Sequence, residues 1–355
     1  FYPTSGGQPH DLGTLGGVAV TDVVDEGDRI AHCLAGPLAG DVVEGVVDWG
    51  RRWDHMQQHT GQHLLSAVGA DRFGWETLSV HFGAESSTID FGTEGIAPAA
   101  LAELERLANA TATENRPVSV SFEEAAIATG LRKPSGREGT LRIVTIAQLD
   151  RSACGGTHVR ATGEIGPILL RRTEKIRKAT RVEFLCGMRA VARARTDYDL
   201  LARMAAGLSC AIDELGTVVP AQGEQLRALE NDRRRLEGEV SAARARDLHA
   251  ATAPGSDGVR RHLERRATGK ADEARSLALA FASLPRSAFA VAVTAPPAVL
   301  VAASDDSGLD AGALLKAALA AAGGRGGGSP RLAQGSVPDA AALDAVLAAL
   351  GFPVA

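Results

Sequence analysis

The pattern of hydrophobic and polar positions changes period several times along the chain, and each change marks an element. Residues 1–50 carry short alternating runs, "GVAVTDVV" and "DVVEGVVDW", separated by the turn signals "EGD" and "AGD". Period-two alternation between turns predicts a small antiparallel β unit. After Asp54 the spacing becomes helical, with Leu64, Leu65 and Val68 following His59 and His63. "TLSVHFGAESSTIDF" reads as strand and "PAALAELERLANATATEN" as an amphipathic helix; "RPVSVSFEEAAIA" and "LRIVTIAQL" bracket a further helix or loop. "RATGEIGPILLRRTEKIRKATRVEFLCG" reads as strands that end a mixed α/β region. From about Met188 to His249 nearly every residue is a helix former, and charges crowd "LRALENDRRRLEGEVSAARARDL". That predicts a solvated helical hairpin or coiled-coil arm. "TAPGSDG" is a linker, and "RSLALAFASL", "FAVAVTA", "AVLVAAS" and "AGALLKAALAAAG" then alternate helix and strand. This last part is a small α/β domain holding the glycine loop "GGRGGGSPRLAQG". The expected class is therefore α+β in four parts, at 1–50, 51–190, 191–250 and 255–355.

Composition narrows this picture. A length of 355 residues suggests two or three domains, and 45% hydrophobic content supports a sizeable core. Aromatics are only 4%, so Ala, Leu and Val must fill it. A net charge of −5 argues against a protein that coats nucleic acid non-specifically, but permits a local basic patch. "RRTEKIRKATR" is the candidate: Arg171, Arg172, Lys175, Arg177, Lys178 and Arg181 stand against a single Glu174. It reads equally as a phosphate-binding surface or as a strand pair with ordinary charged outer faces. Cys33, Cys154, Cys186 and Cys210 do not make a disulfide scaffold in a chain this long and fit a reducing cytoplasm. No apolar stretch reaches membrane-spanning length and no signal peptide is visible. "FYPTSGGQPHDLG" lacks an initiator Met and begins as if in mid-strand, so the first β unit is expected to be truncated.

The chemistry concentrates in two short pairs. "HTGQH" places His59 and His63 at i and i+4, a spacing that shares one helix face. Such a pair alone is more often ordinary hydrogen-bonded histidine than a metal site. "CGGTH" repeats the spacing from Cys154 to His158, across two glycines that let the chain fold back so that thiolate and imidazole converge. One Cys and three His are a donor set and number suited to tetrahedral Zn2+. No Ser-His-Asp order and no nucleophile elbow accompany Ser5, Ser66 or Ser152.

"FYPTSGGQ", "HTGQH" and "CGGTH" in this order resemble the editing domain of alanyl-tRNA synthetase, and still more its free-standing relatives, the AlaX trans-editing proteins. "GGRGGGSPRLAQG" is similar to the glycine-rich motif of the DHHA1 domain that ends the long AlaX form. The resemblance implies a zinc editing domain after the N-terminal β unit, then the helical arm, then a DHHA1-like domain. It implies His59, His63, Cys154 and His158 as zinc ligands and Gln8 as a residue lining the editing pocket. It implies a cytoplasmic hydrolase that deacylates mischarged Ser-tRNA(Ala), and Gly-tRNA(Ala) with it, without aminoacylation. A pocket that hydrogen-bonds the Ser hydroxyl leaves polar groups unpaired when Ala enters, and rejection can reach about 10⁴-fold. Thr4, Ser5 and Gln8, beside Gly6 and Gly7, have the side chains for such a filter. In the family the DHHA1 region is associated with tRNA binding and self-association, so Arg325 in the glycine loop joins the phosphate-binding candidates and a homodimer through arm and DHHA1 domain is expected. Two other classes compete. One is a non-catalytic tRNA-binding protein with structural zinc, since four protein ligands can close a site. The other is a DHH-type phosphoesterase, which needs an Asp-His-His cluster that "WDHM" at 53–56 does not supply.

Overall fold

The computed structural model describes residues 1–134, 136 and 138–353; Val354 and Ala355, which close the expected C-terminal domain, lie outside the described residues. The chain forms two compact units, Phe1–Ile212 and Asp213–Ala355. Both mix helices with mainly antiparallel sheets, an α+β arrangement.

The first unit opens with β1 (Gly13–Leu15), β2 (Val18–Asp25), β3 (Ile30–Leu34) and β4 (Gly45–Val47), an antiparallel sheet in the order β3-β2-β1-β4. The segment before it is not the strand its first residues suggested. Residues 1–12 hold only the isolated bridge between Ser5 and Gln8, because Gly6 and Gly7 turn the chain at φ 55° and 83°.

Helix α1 runs Trp49–Phe73 and so starts earlier than the expected position after Asp54. Asp48 sets the start: its side chain accepts a hydrogen bond from Arg51 N at 3.1 Å. Gly74, at φ 69°, ends the helix in a left-handed cap. Leu64, Leu65 and Val68 face a core with Ile89, Phe91, Val182 and Phe184. Those partners come from β6 (Ser87–Phe91) and β11 (Ala179–Cys186), the middle of a sheet ordered β10-β11-β6-β5, with β5 at Thr77–Phe82 and β10 at Ile168–Ile176. "TLSVHFGAESSTIDF" is thus a hairpin of two strands. Helix α2 (Pro98–Thr113) packs Leu104 and Ala108 into the same core. A third sheet, β7 (Val118–Glu124), β8 (Thr140–Ile146) and β9 (Asp150–Ala153), carries the chain to the "CGGTH" turn. No helix lies among the described residues between β7 and β8, so the described part of the helix-or-loop segment is loop. Helix α3 (Met188–Gly207) closes the unit.

Close helix–sheet packing depends on one glycine of "HTGQH". A Cβ on Gly61 would sit 2.3 Å from Cys186 Sγ, which is itself buried in β11. Alanine ordinarily favours a helix interior over glycine by about 1 kcal/mol. Here Gly61→Ala is expected to destabilise the fold by about 1–3 kcal/mol through overpacking. Pairing it with Cys186→Ala should return most of that loss in a denaturant titration; an unaltered midpoint for the single variant would refute the packing argument.

The second unit begins with α4 (Leu215–Ala251). Then come β12 (Arg260–Thr268), α5 (Arg275–Phe281), β13 (Ser287–Ala295), β14 (Ala298–Ala303), α6 (Ala311–Ala321), β15 (Arg325–Ser329), β16 (Leu332–Ser336) and α7 (Ala340–Ala349). The sheet order is β12-β13-β14-β16-β15, with only β12 and β13 parallel. Two cores sandwich it. Ala245, Leu277 and Phe281 meet Phe289, Val291 and Leu300 on one face, and Leu315, Leu319, Leu343 and Val346 meet Ala290, Ala292, Val299 and Val301 on the other. The glycine loop is in fact the edge strand β15. A Cβ on Gly326 or Gly328 would come within 2.3 Å of Gln334 O or 2.2 Å of Leu332 O, so only glycine fits this pairing. No helix among the described residues is long and apolar enough to cross a membrane.

Candidate metal centre

Helix α1 carries His59 and His63 on successive turns, and the turn after β9 brings Cys154 and His158 to them. The four donor atoms lie within 4.8 Å of one another. Cys154 Sγ is 3.3 Å from His59 Nε2 and 3.4 Å from His158 Nε2. The three imidazoles pack with centroids 4.5 to 5.4 Å apart. The second glycine of "CGGTH" allows this approach, since a Cβ on Gly156 would lie 2.1 Å from His59 Cε1. His55, one turn earlier, stays outside the cluster; its buried ring nitrogens have no partner, and burial holds it at about 4, neutral near pH 7.

Each clustered imidazole is oriented through its other nitrogen. His59 Nδ1 meets Gln8 Oε1 at 2.8 Å, and that amide oxygen also accepts from Thr157 N at 3.1 Å. His63 Nδ1 meets Asp150 Oδ2 at 2.9 Å. His158 Nδ1 meets Thr60 Oγ1 at 3.2 Å, while the Thr60 hydroxyl spends its proton on Met56 O at 2.8 Å. All three partners can only accept, so each histidine carries a proton on Nδ1 and, in its neutral form, leaves the Nε2 lone pair free. A shared tautomer with Nε2 exposed is the arrangement that outer partners impose on metal-ligating histidine.

The electrostatics favour a metal's needs at Cys154. Burial pushes its thiol up, but its close contacts with His158, His59 and His63 outweigh that and hold it far below the usual thiol range. Thiolate is the ligand form. Burial lowers His59 and takes His158 to about 3, so both are neutral at pH 7. His63 is the exception: burial opposes its charge, yet Asp150 and Cys154 raise it to about 9. Without a metal, the His63 proton and Arg132 together balance the buried Asp150 and Cys154 anions; a bound cation would take that proton's place. The donor set, the convergence and the tautomers fit a tetrahedral cation.

A cavity of about 860 Å³ opens beside the cluster, lined by His63 with Gln62, Ser66, Thr77, Arg132 and Asp150 among others. Of the segment Thr4–Gln8, only Gly6 lines it. Thr4 is exposed with its hydroxyl on His10 Nδ1 at 3.1 Å, Ser5 is half-buried, and Gln8 is buried with its amide committed to His59 and Thr157. A larger cavity of about 970 Å³, between β10 and α3, holds no clustered donors and is lined by Arg171, Arg172, Arg189 and Arg193 with Glu183 and Asp197.

The basic run is less free than it reads along the chain. Arg171 pairs with Asp197 at 2.6 Å, Arg172 with Glu183 at 2.9 Å, Lys175 with Glu94 at 3.9 Å and Arg181 with Asp90 at 2.7 Å. Arg177 and Lys178 sit in the turn between β10 and β11 with no ion pair found among the described residues. Arg325 starts β15 and is exposed. Of the residues that hold the imidazoles, Thr60 and Asp150 carry no signal in the sequence, nor does Thr157, which holds Gln8; only Gln8, inside "GGQ", stands out, and for a different role.

Comparison with known proteins adds two domain matches. Residues 141–182 match the threonyl and alanyl tRNA synthetase second additional domain, and 266–351 match the DHHA1 domain. The first match includes Asp150, Cys154 and His158. The chain is 34% identical to the alanyl-tRNA editing protein Aarsd1 of Danio rerio, over 60% of this chain and 54% of that protein. It is 30% identical to Aarsd1 of Mus musculus, over 72% of this chain and 64% of that one. It is 34% identical to the alanine–tRNA ligase of Methanoculleus marisnigri, over 98% of this chain and 39% of the ligase. The chain thus spans about half the length of the editing proteins it matches.

Proposed function

From a chain of the long AlaX type, an alanyl-tRNA editing module joined to a DHHA1 domain, we propose a trans-editing hydrolase that deacylates mischarged Ser-tRNA(Ala), and Gly-tRNA(Ala) with it, in the cytoplasm. The observation that carries this reading is the cluster of His59, His63, Cys154 and His158, whose His63 lines a cavity large enough for an aminoacyl-nucleoside end. Zinc held by these four residues would supply Lewis acidity toward the ester carbonyl or a bound water. The chain's own part is to hold the ligand tautomers through Gln8, Asp150 and Thr60, and to seat the activated ester beside His63.

Serine and alanine share the amino and carbonyl groups, so discrimination needs a group that reaches the β-carbon. We place this filter in Thr4–Gln8, whose Gly6 brings backbone to the cavity wall. Ser-tRNA(Ala) is expected to be hydrolysed far faster than Ala-tRNA(Ala). Among Thr4→Val, Ser5→Ala and Gln8→Ala, the decisive variant should lose about 1–3 kcal/mol of transition-state stabilisation on the seryl ester and narrow the Ser/Ala ratio. If all three keep the wild-type ratio, the filter lies elsewhere, with Ser66 and Thr77 next in line. If the full chain holds zinc but hydrolyses none of the three esters, the scaffold reading replaces the enzyme.

Substrate phosphates are proposed to meet the 171–181 strand pair and Arg325. The ion pairs above favour Arg177 and Lys178 as the contacts. Neutralising both should reduce the slope of log affinity against log salt by about one unit per lost contact, while Arg181→Ala leaves it. An unchanged slope in the double variant moves the phosphates to the second unit. Self-association is supported by α4, where exposed Leu226, Leu229, Leu236 and Val240 recur at three- to seven-residue spacing. Sedimentation of the full chain tests it, and a monomer at all concentrations would exclude it.

A further inference from the structure

Asp150 is buried, and polar partners meet its carboxylate on three sides. Its Oδ2 accepts from His63 Nδ1 at 2.9 Å and from Ser152 Oγ at 2.9 Å; its Oδ1 accepts from Arg132 Nε at 2.7 Å. Arg132 comes from the loop between β7 and β8. Its guanidinium also reaches Asp71 of α1 at 2.8 Å and Leu149 O at 2.6 Å, and its backbone N donates to Arg151 O at 2.8 Å. Arg132, Lys133 and Pro134 line the same cavity as His63. One carboxylate therefore joins the wall of the cavity to the imidazole that faces it.

We propose that Asp150 is a positioning residue that fixes His63 for metal binding, and that Arg132 is the cation that lets it do so. The proposal rests on the metal reading of the cluster. A buried carboxylate needs a partner of opposite charge. When His63 is neutral, as a metal ligand must be, Arg132 is the cation in contact with Asp150. With Arg132 removed, the carboxylate keeps only His63 and Ser152 as partners and loses the guanidinium that anchors its Oδ1 in place against the imidazole. With Asp150 removed, the His63 ring loses the acceptor that sets its tautomer and orientation. The loop that walls the cavity and the affinity of the metal are coupled through this one group.

The test uses the full chain as wild type, Asp150→Ala, Asp150→Asn, Arg132→Ala and the Asp150→Asn/Arg132→Ala pair. Zinc affinity is read by competition with a chromophoric chelator, the visible spectrum is taken with Co2+, and thermal unfolding of the metal-free proteins controls for folding. Asp150→Ala should bind zinc about 10–100-fold more weakly, the range for lost outer partners of metal ligands. Asparagine retains an acceptor for Nδ1–H and should recover part of this. Arg132→Ala should weaken binding too, and the double variant should bind no more weakly than Arg132→Ala, because no buried charge is stranded once both are gone. The cobalt d–d bands should shift in Asp150→Ala while the thiolate charge-transfer band persists. Should Asp150→Ala fail to fold, Asp150→Asn against Arg132→Ala carries the comparison. Wild-type affinity and spectrum in these variants, or losses that simply add in the double variant, overturn the proposal. A wild-type chain that binds neither zinc nor cobalt overturns the metal reading, and this proposal with it.

Discussion

Cys154→Ala is expected to lose zinc affinity by more than about 100-fold and deacylation of Ser-tRNA(Ala) with it. Outer partners of metal ligands are worth about 10–100-fold, and a direct ligand that supplies the only thiolate must exceed them. Cys154 stands at the centre of the cluster, in reach of His59 and His158 at once. Its negative charge is what a cation meets, since His59 and His158 are held neutral by burial. The wild type should purify with about one zinc per chain. Elemental analysis after dialysis against a chelator separates the two proteins, and full zinc retention by Cys154→Ala would sink the ligand assignment. His63→Ala should fall in the same direction.

The two glycines between Cys154 and His158 should respond oppositely to a single methyl group. A Cβ on Gly156 would sit 2.1 Å from His59 Cε1, 2.3 Å from His59 Nδ1 and 3.1 Å from Gln8 Oε1. The His59 ring has nowhere to move without breaking its bond to Gln8, and both residues are buried. A Cβ on Gly155 meets nothing within 4 Å. Gly156→Ala is therefore expected to lose zinc and at least about 100-fold in deacylation, an effect that displacement of about 1 Å suffices to cause. Gly155→Ala should retain both. Equal behaviour of the two variants would mean that the turn relaxes as a whole and that the close approach is not what the glycine is for.

That contrast shows where the reading of the chain stops. "HTGQH" and "CGGTH" were legible because ligand type and spacing are local, and a helix or a turn converts spacing into shared direction. Which glycine matters was not, since both look alike until His59 arrives from far upstream in the chain. Asp150 was overlooked for the same reason: its partner His63 is 87 residues away and depends on how β9 lies against α1. The basic run stayed open between two readings because charge along the chain does not show its partners across the sheet. Its partners are Asp90 of β6, Glu183 of β11, Glu94 in the bend after β6 and Asp197 of α3. β15 was read as a loop because glycine disfavours strands. Backbone crowding at Gly326 and Gly328 reverses that preference. The start of α1 was misjudged by ignoring Asp48, a capping residue in plain view.

The distance in sequence between the two halves of the cluster has a consequence for how the protein is made. Cys154 follows His59 by 95 residues. At a synthesis rate of about 5–20 residues per second, the histidine pair leaves the ribosome roughly 5–20 s before the thiolate that completes the set. During that interval the nascent chain displays two imidazoles on a helix, a half-site whose intrinsic preference runs toward copper and nickel over zinc. Correct metallation would then depend on the late-arriving "CGGTH" turn displacing whatever came first, or on the helix staying unformed until its partner strands exist.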